Sequence, residues 1–196
     1  FQSILERLTP HAVAVQIPIG IEESFSGVVD LLTRKAYAFE GEKGEKVVEV
    51  SVPDGLKSEM EKRRHELVEK IAETDDALLH KYLEHHDPTI PELKAALRKA
   101  TLAARLVPVL TGSALKNKGV QFVLDAVVDY LPSPVDLPPV KGLDPKTHAE
   151  LERKPSDDEP LAALAFKIAA DPFVGSLTYF RVYSGVMKRG SYVLNA

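Results

Sequence analysis

Chemistry in this sequence is best sought in a loop of small and basic residues, Thr111-Gly112-Ser113-Ala114-Leu115-Lys116-Asn117-Lys118-Gly119. Small side chains let a main chain approach a bound ring, and its N–H groups then select for acceptors. On its own a Gly-Ser-Ala tripeptide is a weak motif that any small loop holds. A second candidate is a run of carboxylates. Between Asp54 and Asp87 the acidic excess equals the whole chain's net charge of −4. At about 100° per residue, Glu66, Glu69 and Glu73 lie opposite a stripe of Leu56, Met60, Leu67 and Ile71, with Asp76 near them if the helix continues. Such faces are ordinarily solvated. The alternative chemistry is attraction of a basic partner, which speeds encounter more than it deepens affinity.

Other sets carry less. His80, His85 and His86 cluster near the end of a helical stretch, where the macrodipole explains them better than a metal, which needs further ligands. Tyr179, Phe180, Tyr183 and Tyr192 with Arg181, Lys188 and Arg189 suggest stacking on RNA. Strands alternate their faces, so core and surface explain that set more cheaply. No spacing supports a Ser-His-Asp triad or a pair of working carboxylates. The absence of cysteine excludes disulfides, thiolate zinc sites and cysteine nucleophiles, and is compatible with a reducing cytoplasm.

The elements that must position these residues follow from periodicity. The 196 residues, 44% hydrophobic and 28% charged, have an ordinary globular balance and suit one or two domains. Phe1, Ile4, Leu5 and Leu8 sit at helical spacing without a cap, so the sequence is expected to begin partway through a helix, with no signal-peptide pattern. The run from Ala12 to Gly20, apolar on both faces, predicts a strand inside a parallel sheet. Meander strands follow at 27–32, 35–39 and 46–50. Helices are predicted from Pro53 to about Glu73, from Thr74 through Leu83, and from Thr89 to about Ala104. A second buried-type strand covers Leu106 to Thr111, and a helix runs from about Val120 to Tyr130. Residues 141–159 are polar and hold Pro145 and Pro155, which reads as a linker. Beyond it, 161–169, 176–184 and 191–194 read as the first strands of an antiparallel barrel. No apolar run approaches the roughly 20 residues that cross a bilayer, so no membrane contact is expected.

Three regions in order carry a family likeness. Gly112 to Gln121 followed by Leu124 to Pro134 closely resembles elongation factor G, the bacterial translational GTPase. So do Asp157 to Leu161 with Ala165-Phe166-Lys167-Ile168 and Asp171 to Gly175, and Gln16 to Gly20 with Gly27 to Leu31. The resemblance implies an α/β fold: the remnant of a P-loop GTPase parallel sheet, with an inserted α+β subdomain at about 20–105. Residues 1–140 would be the C-terminal part of the GTPase domain, 141–159 a linker, and 160–196 an incomplete β-barrel.

In such GTPases a Ser-Ala pair at this strand end contacts guanine. Guanine O6 accepts where adenine offers an amino donor, and an unmet buried donor costs about 1–3 kcal/mol. By this likeness Ser113, Ala114 and Leu115 form the guanine loop, Ala114 supplying the N–H and the Ser113 hydroxyl bracing the turn. Glu66, Glu69, Glu73 and Asp76 align with acidic positions that dock the flexible stalk protein of the large ribosomal subunit. The parent would be a cytoplasmic GTP hydrolase that binds GTP or GDP with Mg²⁺, touches ribosomal RNA through its second domain and drives translocation of tRNA and mRNA. The phosphate loop, the switch threonine, the Asp-x-x-Gly motif with its catalytic histidine and the Asn-Lys-x-Asp motif are absent from these residues. The chain alone is therefore expected to hold no nucleotide tightly, to hydrolyse none and to self-associate through exposed sheet edges. A sister factor of the peptide-release or ribosome-protection type, or a pure protein-interaction module, are the other readings.

Overall fold

The apolar run after the first helix does not make one strand. The computed structural model describes residues 1–84, 86–144 and 147–195, and divides into two units, Phe1–Leu131 and Pro132–Ala196. In the first, a short helix α1 (Gln2–Arg7) precedes β1 (Ala12–Ala14) and β2 (Gln16–Ile19). β1 pairs in parallel with β6 (Val107–Val109), in the register Ala12 to Val107. β2 pairs antiparallel with β3 (Gly27–Asp30). Val15 is the branch: its N–H donates to the Val109 carbonyl, and its own carbonyl accepts from the Leu31 N–H, each at 3.0 Å. Pro18 and Pro108 lack an N–H, which suits the outer positions of β2 and β6 in their sheets. The expected parallel strand is thus parallel over its first half alone.

β3, β4 (Lys35–Glu40) and β5 (Lys46–Val50) continue the antiparallel sheet in the order β2-β3-β4-β5, as the meander pattern predicts. Period-two alternation sends Val29, Ala36 and Ile17 to one face and Val28, Tyr37, Phe39 and Val47 to the other. The first face shares a buried cluster with three helices. α2 (Asp54–Ala72) supplies Met60, Leu67 and Ile71, α3 (Asp76–Leu83) supplies Leu78, and α4 (Ile90–Leu102) supplies Leu93 and Leu97. Each fully buried Leu or Ile contributes about 1.5–3 kcal/mol by leaving water. The second face meets α5 (Val120–Tyr130) through Phe122, whose ring centroid lies 5.1 Å from that of Tyr37 and 6.1 Å from that of Phe39.

Helix starts follow local chemistry. Thr89 and Glu92 form a reciprocal capping box on α4, and the Asp75 carboxylate accepts the Leu78 N–H at the start of α3. α2 stops at Ala72, and the Glu73-Thr74 turn separates it from α3. Arg64, a basic residue without distinction in the sequence, is 4% exposed. Its guanidinium donates to the carbonyls of Leu31 and Leu32, each at 2.7 Å, and so satisfies the turn after β3. Burial lowers its proton affinity, with the nearby Arg34 adding to the effect.

The second unit corrects the linker reading. Residues 141–159 are not structureless: β7 (Val140–Leu143) pairs antiparallel with β8 (Glu150–Arg153), and Lys141 lies 3.3 Å from Glu152. Alternating charged and apolar residues form a hairpin as readily as a solvated coil, and polar composition hid this. Pro145 and Lys146 lie outside the described residues. β9 (Ala162–Asp171) and β10 (Gly175–Ser184) form a second antiparallel ribbon. Residues 191–194 are not a strand, and no closed barrel is present among the described residues. The unit boundary falls at Pro132 rather than near residue 141. Among the described residues no helix is long and apolar enough to cross a membrane.

Candidate functional site

The loop at 111–119 joins β6 to α5, as the strand-and-helix pattern predicts. It is closed by the main chain. Ser113 N–H donates to Lys118 O at 2.8 Å, Lys118 N–H returns to Ser113 O at 3.0 Å, and Asn117 N–H reaches Ala114 O at 3.1 Å. The bracing role expected of the Ser113 hydroxyl is therefore filled by its peptide group, because an antiparallel pair across the turn satisfies both peptides at once. The Ala114 and Leu115 N–H groups have no acceptor among the described residues. Ala114 is exposed, and the Leu115 side chain is 98% exposed. The turn thus presents two free donors on a fixed frame.

Two glycines make this closure possible. Gly119 has φ +86, and a Cβ on it would come within 2.8 Å of Thr111 O. Gly44, in the β4–β5 turn, packs so closely that a Cβ would meet Lys116 O at 2.8 Å. The neighbouring elements hold the loop in other ways that sequence reasoning missed. Lys118 Nζ donates to Phe25 O at 3.0 Å, Gln121 Nε2 to Gly44 O at 3.3 Å, and Thr111 N–H to Gln16 Oε1 at 3.4 Å. Gly44 and the buried Gln16 come from distant parts of the chain, and no local pattern marks them. Lys118 spends its charge on an internal carbonyl rather than on a ligand.

The acidic residues are brought together only in part. Glu66 is half-buried and lies 3.0 Å from Arg63, while Glu73 lies 3.3 Å from Lys70. Glu69 is exposed and has no ion pair among the described residues. Its charge adds to burial in raising the Tyr82 phenol above its ordinary range. Glu66 and Glu69 edge a cleft of about 210 Å³ whose apolar lining includes Leu5, Pro10, Val13 and Leu67. Asp76 does not extend the same helix face, because α2 has already ended and Asp76 opens α3.

His86 lies 3.6 Å from Glu84, His85 falls outside the described residues, and among the described residues no three ligating groups converge. Of the aromatic–basic set, Lys167 sits 5.9 Å above the Tyr179 ring, and Tyr179 and Phe180 are exposed on the ribbon rather than in a barrel core.

No family model matches the sequence. Among solved structures the chain is similar to ttk003000868, a protein of Thermus thermophilus, at 29% identity and a TM-score of 0.73. The match covers 97% of this chain and 26% of the Thermus protein, so the chain spans about a quarter of that protein's length.

Proposed function

We propose that this chain is an internal piece of a translational GTPase resembling elongation factor G, carrying the guanine-recognition loop and a docking surface for the ribosomal stalk protein. The observation that carries the reading is the loop itself. A strand in a parallel pair delivers a main-chain-locked turn whose exposed residues Ala114 and Leu115 have N–H groups with no acceptor among the described residues. A backbone so placed reads an acceptor such as guanine O6 at little ordering cost, since the turn is already formed.

In this reading the β1–β6 pair is the remnant of a larger parallel sheet, which suits a pair with no further strand beside it among the described residues. The elements between about residues 20 and 105 are the inserted subdomain, and the β9–β10 ribbon opens a β-barrel. GTP and Mg²⁺ belong to the parent, whose hydrolysis would drive tRNA and mRNA through the ribosome. This chain offers no glycine-rich phosphate loop for them. Glu69, in the last turn of α2, and Glu73, just beyond it, are exposed, where a basic partner helix reaches them without desolvating a buried charge.

The test is calorimetric titration of this chain, and of its full-length parent, with GDP and with the C-terminal domain of the stalk protein. The chain is expected to bind the stalk domain and lose it on combined Glu69→Lys and Glu73→Lys substitution, and the parent alone is expected to bind GDP tightly. A parent without GDP affinity sinks the guanine-loop reading. Tight GDP binding by the chain would overturn the assignment of the phosphate site elsewhere.

A further inference from the structure

A second cleft of about 210 Å³ lies among α5, α4 and the ends of β2, β3 and β6, and its lining is unlike that of the cleft beside α2. Asp30, Asp125 and Asp129 line it against a single cation, Lys94. The Lys94 ammonium is 2.7 Å from Asp129 and so neutralises one of the three. Asp30 Oδ1 accepts the N–H groups of Leu32 and Thr33, each at 2.8 Å, which leaves its second oxygen toward other donors. Asp125 makes no hydrogen bond or ion pair among the described residues.

Two hydroxyls deepen the imbalance. Tyr130 is 6% exposed, and its phenol has no hydrogen-bond partner among the described residues. Burial, with the charges of Asp129 and Asp30, pushes that phenol well above its ordinary range, so it stays protonated. Thr33 Oγ1 is buried and likewise unpartnered. Buried polar atoms are nearly always satisfied, and here the orphaned Thr33 Oγ1, the Tyr130 phenol and the exposed Asp125 carboxylate line one cavity. Its remaining wall includes the tilted ring pair Tyr37 and Phe122. Carboxylates to accept N–H donors, a phenol oxygen, and aromatic faces for an alkyl stem form the pattern that binds alkylammonium groups.

We propose that this cleft binds a small aliphatic di- or triamine, one ammonium held by Asp125 with the Tyr130 hydroxyl and the methylenes lying against Tyr37 and Phe122. A divalent metal fits less well. No three ligating groups converge among the described residues, and Mg²⁺ dehydrates reluctantly and would leave the apolar wall uncovered. The assignment is independent of any role in translation.

The test is calorimetric titration of the purified chain with 1,4-diaminobutane and with spermidine, against MgCl₂ at matched ionic strength. Saturable amine binding is expected, with amide shifts concentrated at Thr33, Asp125 and Ala126 by NMR. Asp125→Asn, a change at an exposed helix position, is expected to weaken it about tenfold or more, the effect of losing one charge-assisted hydrogen bond. Tyr130→Phe serves as a second variant if it folds. Equal heats from MgCl₂, shifts spread over all acidic surfaces, or unchanged affinity in Asp125→Asn would each overturn the assignment.

Discussion

The β2–β5 sheet and the β9–β10 ribbon use the same antiparallel ladder and reach opposite states. In the sheet each face is covered: Val28, Val29 and Ala36 are fully buried, one face by the α2–α4 cluster and the other by the aromatic group around Phe122. In the ribbon each strand is ten residues long, yet no residue of β9 is buried. Leu164, Phe166 and Ile168 alternate along β9 and stay mostly exposed. Hydrogen bonding along a ladder is therefore common to both, and what distinguishes them is what lies against the faces. An isolated two-stranded ribbon is marginal in water, since exchange of water for peptide partners yields little net stability. Long exposed edges and apolar faces of this kind mark a surface that expects further strands.

The largest test of the comparison is removal of the covering layer. Leu97 is fully buried in the α4 contribution to the sheet's cluster. Leu97→Ala is expected to destabilise the first unit by about 2–5 kcal/mol, the transfer loss plus the cavity left behind. Urea unfolding followed by circular dichroism measures it. A loss below about 1 kcal/mol would mean that the cluster collapses around the gap and that helix cover is not what stabilises the sheet.

A smaller effect comes from the device that fixes the start of α4. Glu92 accepts from Thr89 N–H and Oγ1, each at 2.7 Å, and from Lys81 Nζ at 2.8 and 2.9 Å. The Lys81 hydrogen bond, followed by those from Thr89, holds its carboxyl down at about 2. A depressed carboxyl stabilises the folded state above its unfolded value of 4.5, and that contribution fades as pH falls toward 2. Stability is thus expected to drop between about pH 4.5 and 2, and Glu92→Gln to flatten that part of the profile. The carboxyl is open to solvent, so salt should shrink the difference. An unchanged pH profile in Glu92→Gln would assign the acid sensitivity to other carboxylates.

How far the sequence disclosed this arrangement depends on the range of the interactions. Local devices were legible: the Thr89–Glu92 spacing, the Leu56-Met60-Leu67-Ile71 stripe and the alternation of the meander all act within a turn or two. The order β6, loop, α5 was legible for the same reason. Partner choice was not. Nothing in Ala12–Ile19 reveals that Val15 divides a parallel from an antiparallel pairing, because that depends on where Val109 and Leu31 arrive. Arg64 reads as one more charge on a charged helix, yet its stem crosses the core to cap two carbonyls of a turn more than 30 residues earlier. Within the candidate site the placement of Ser113 to Leu115 between β6 and α5 was legible, while Gly44 and Gln16, which meet Lys116 and Thr111 of the same loop, came from other parts of the sheet. The hairpin at 140–153 was hidden by polarity, since the strand rule expects a buried face that this hairpin lacks.

The smallest expected effect sharpens the comparison most. Ile168 on β9 is 74% exposed and faces Thr178 across the ladder. If the ribbon's faces are open to water, Ile168→Ser removes little burial, and stability should change by no more than about 0.5 kcal/mol, as for surface substitutions generally. The same change in the covered sheet, at Val29, would bury an unsatisfied hydroxyl and a void together. Urea unfolding at two protein concentrations, far apart, decides the matter. A small effect at both leaves the ribbon uncovered, as drawn. A loss well above 1 kcal/mol that grows with concentration would mean that Ile168 is covered by a second copy, since binding stabilises the folded state by mass action. The ribbon would then belong with the sheet, finished by a partner instead of by its own helices.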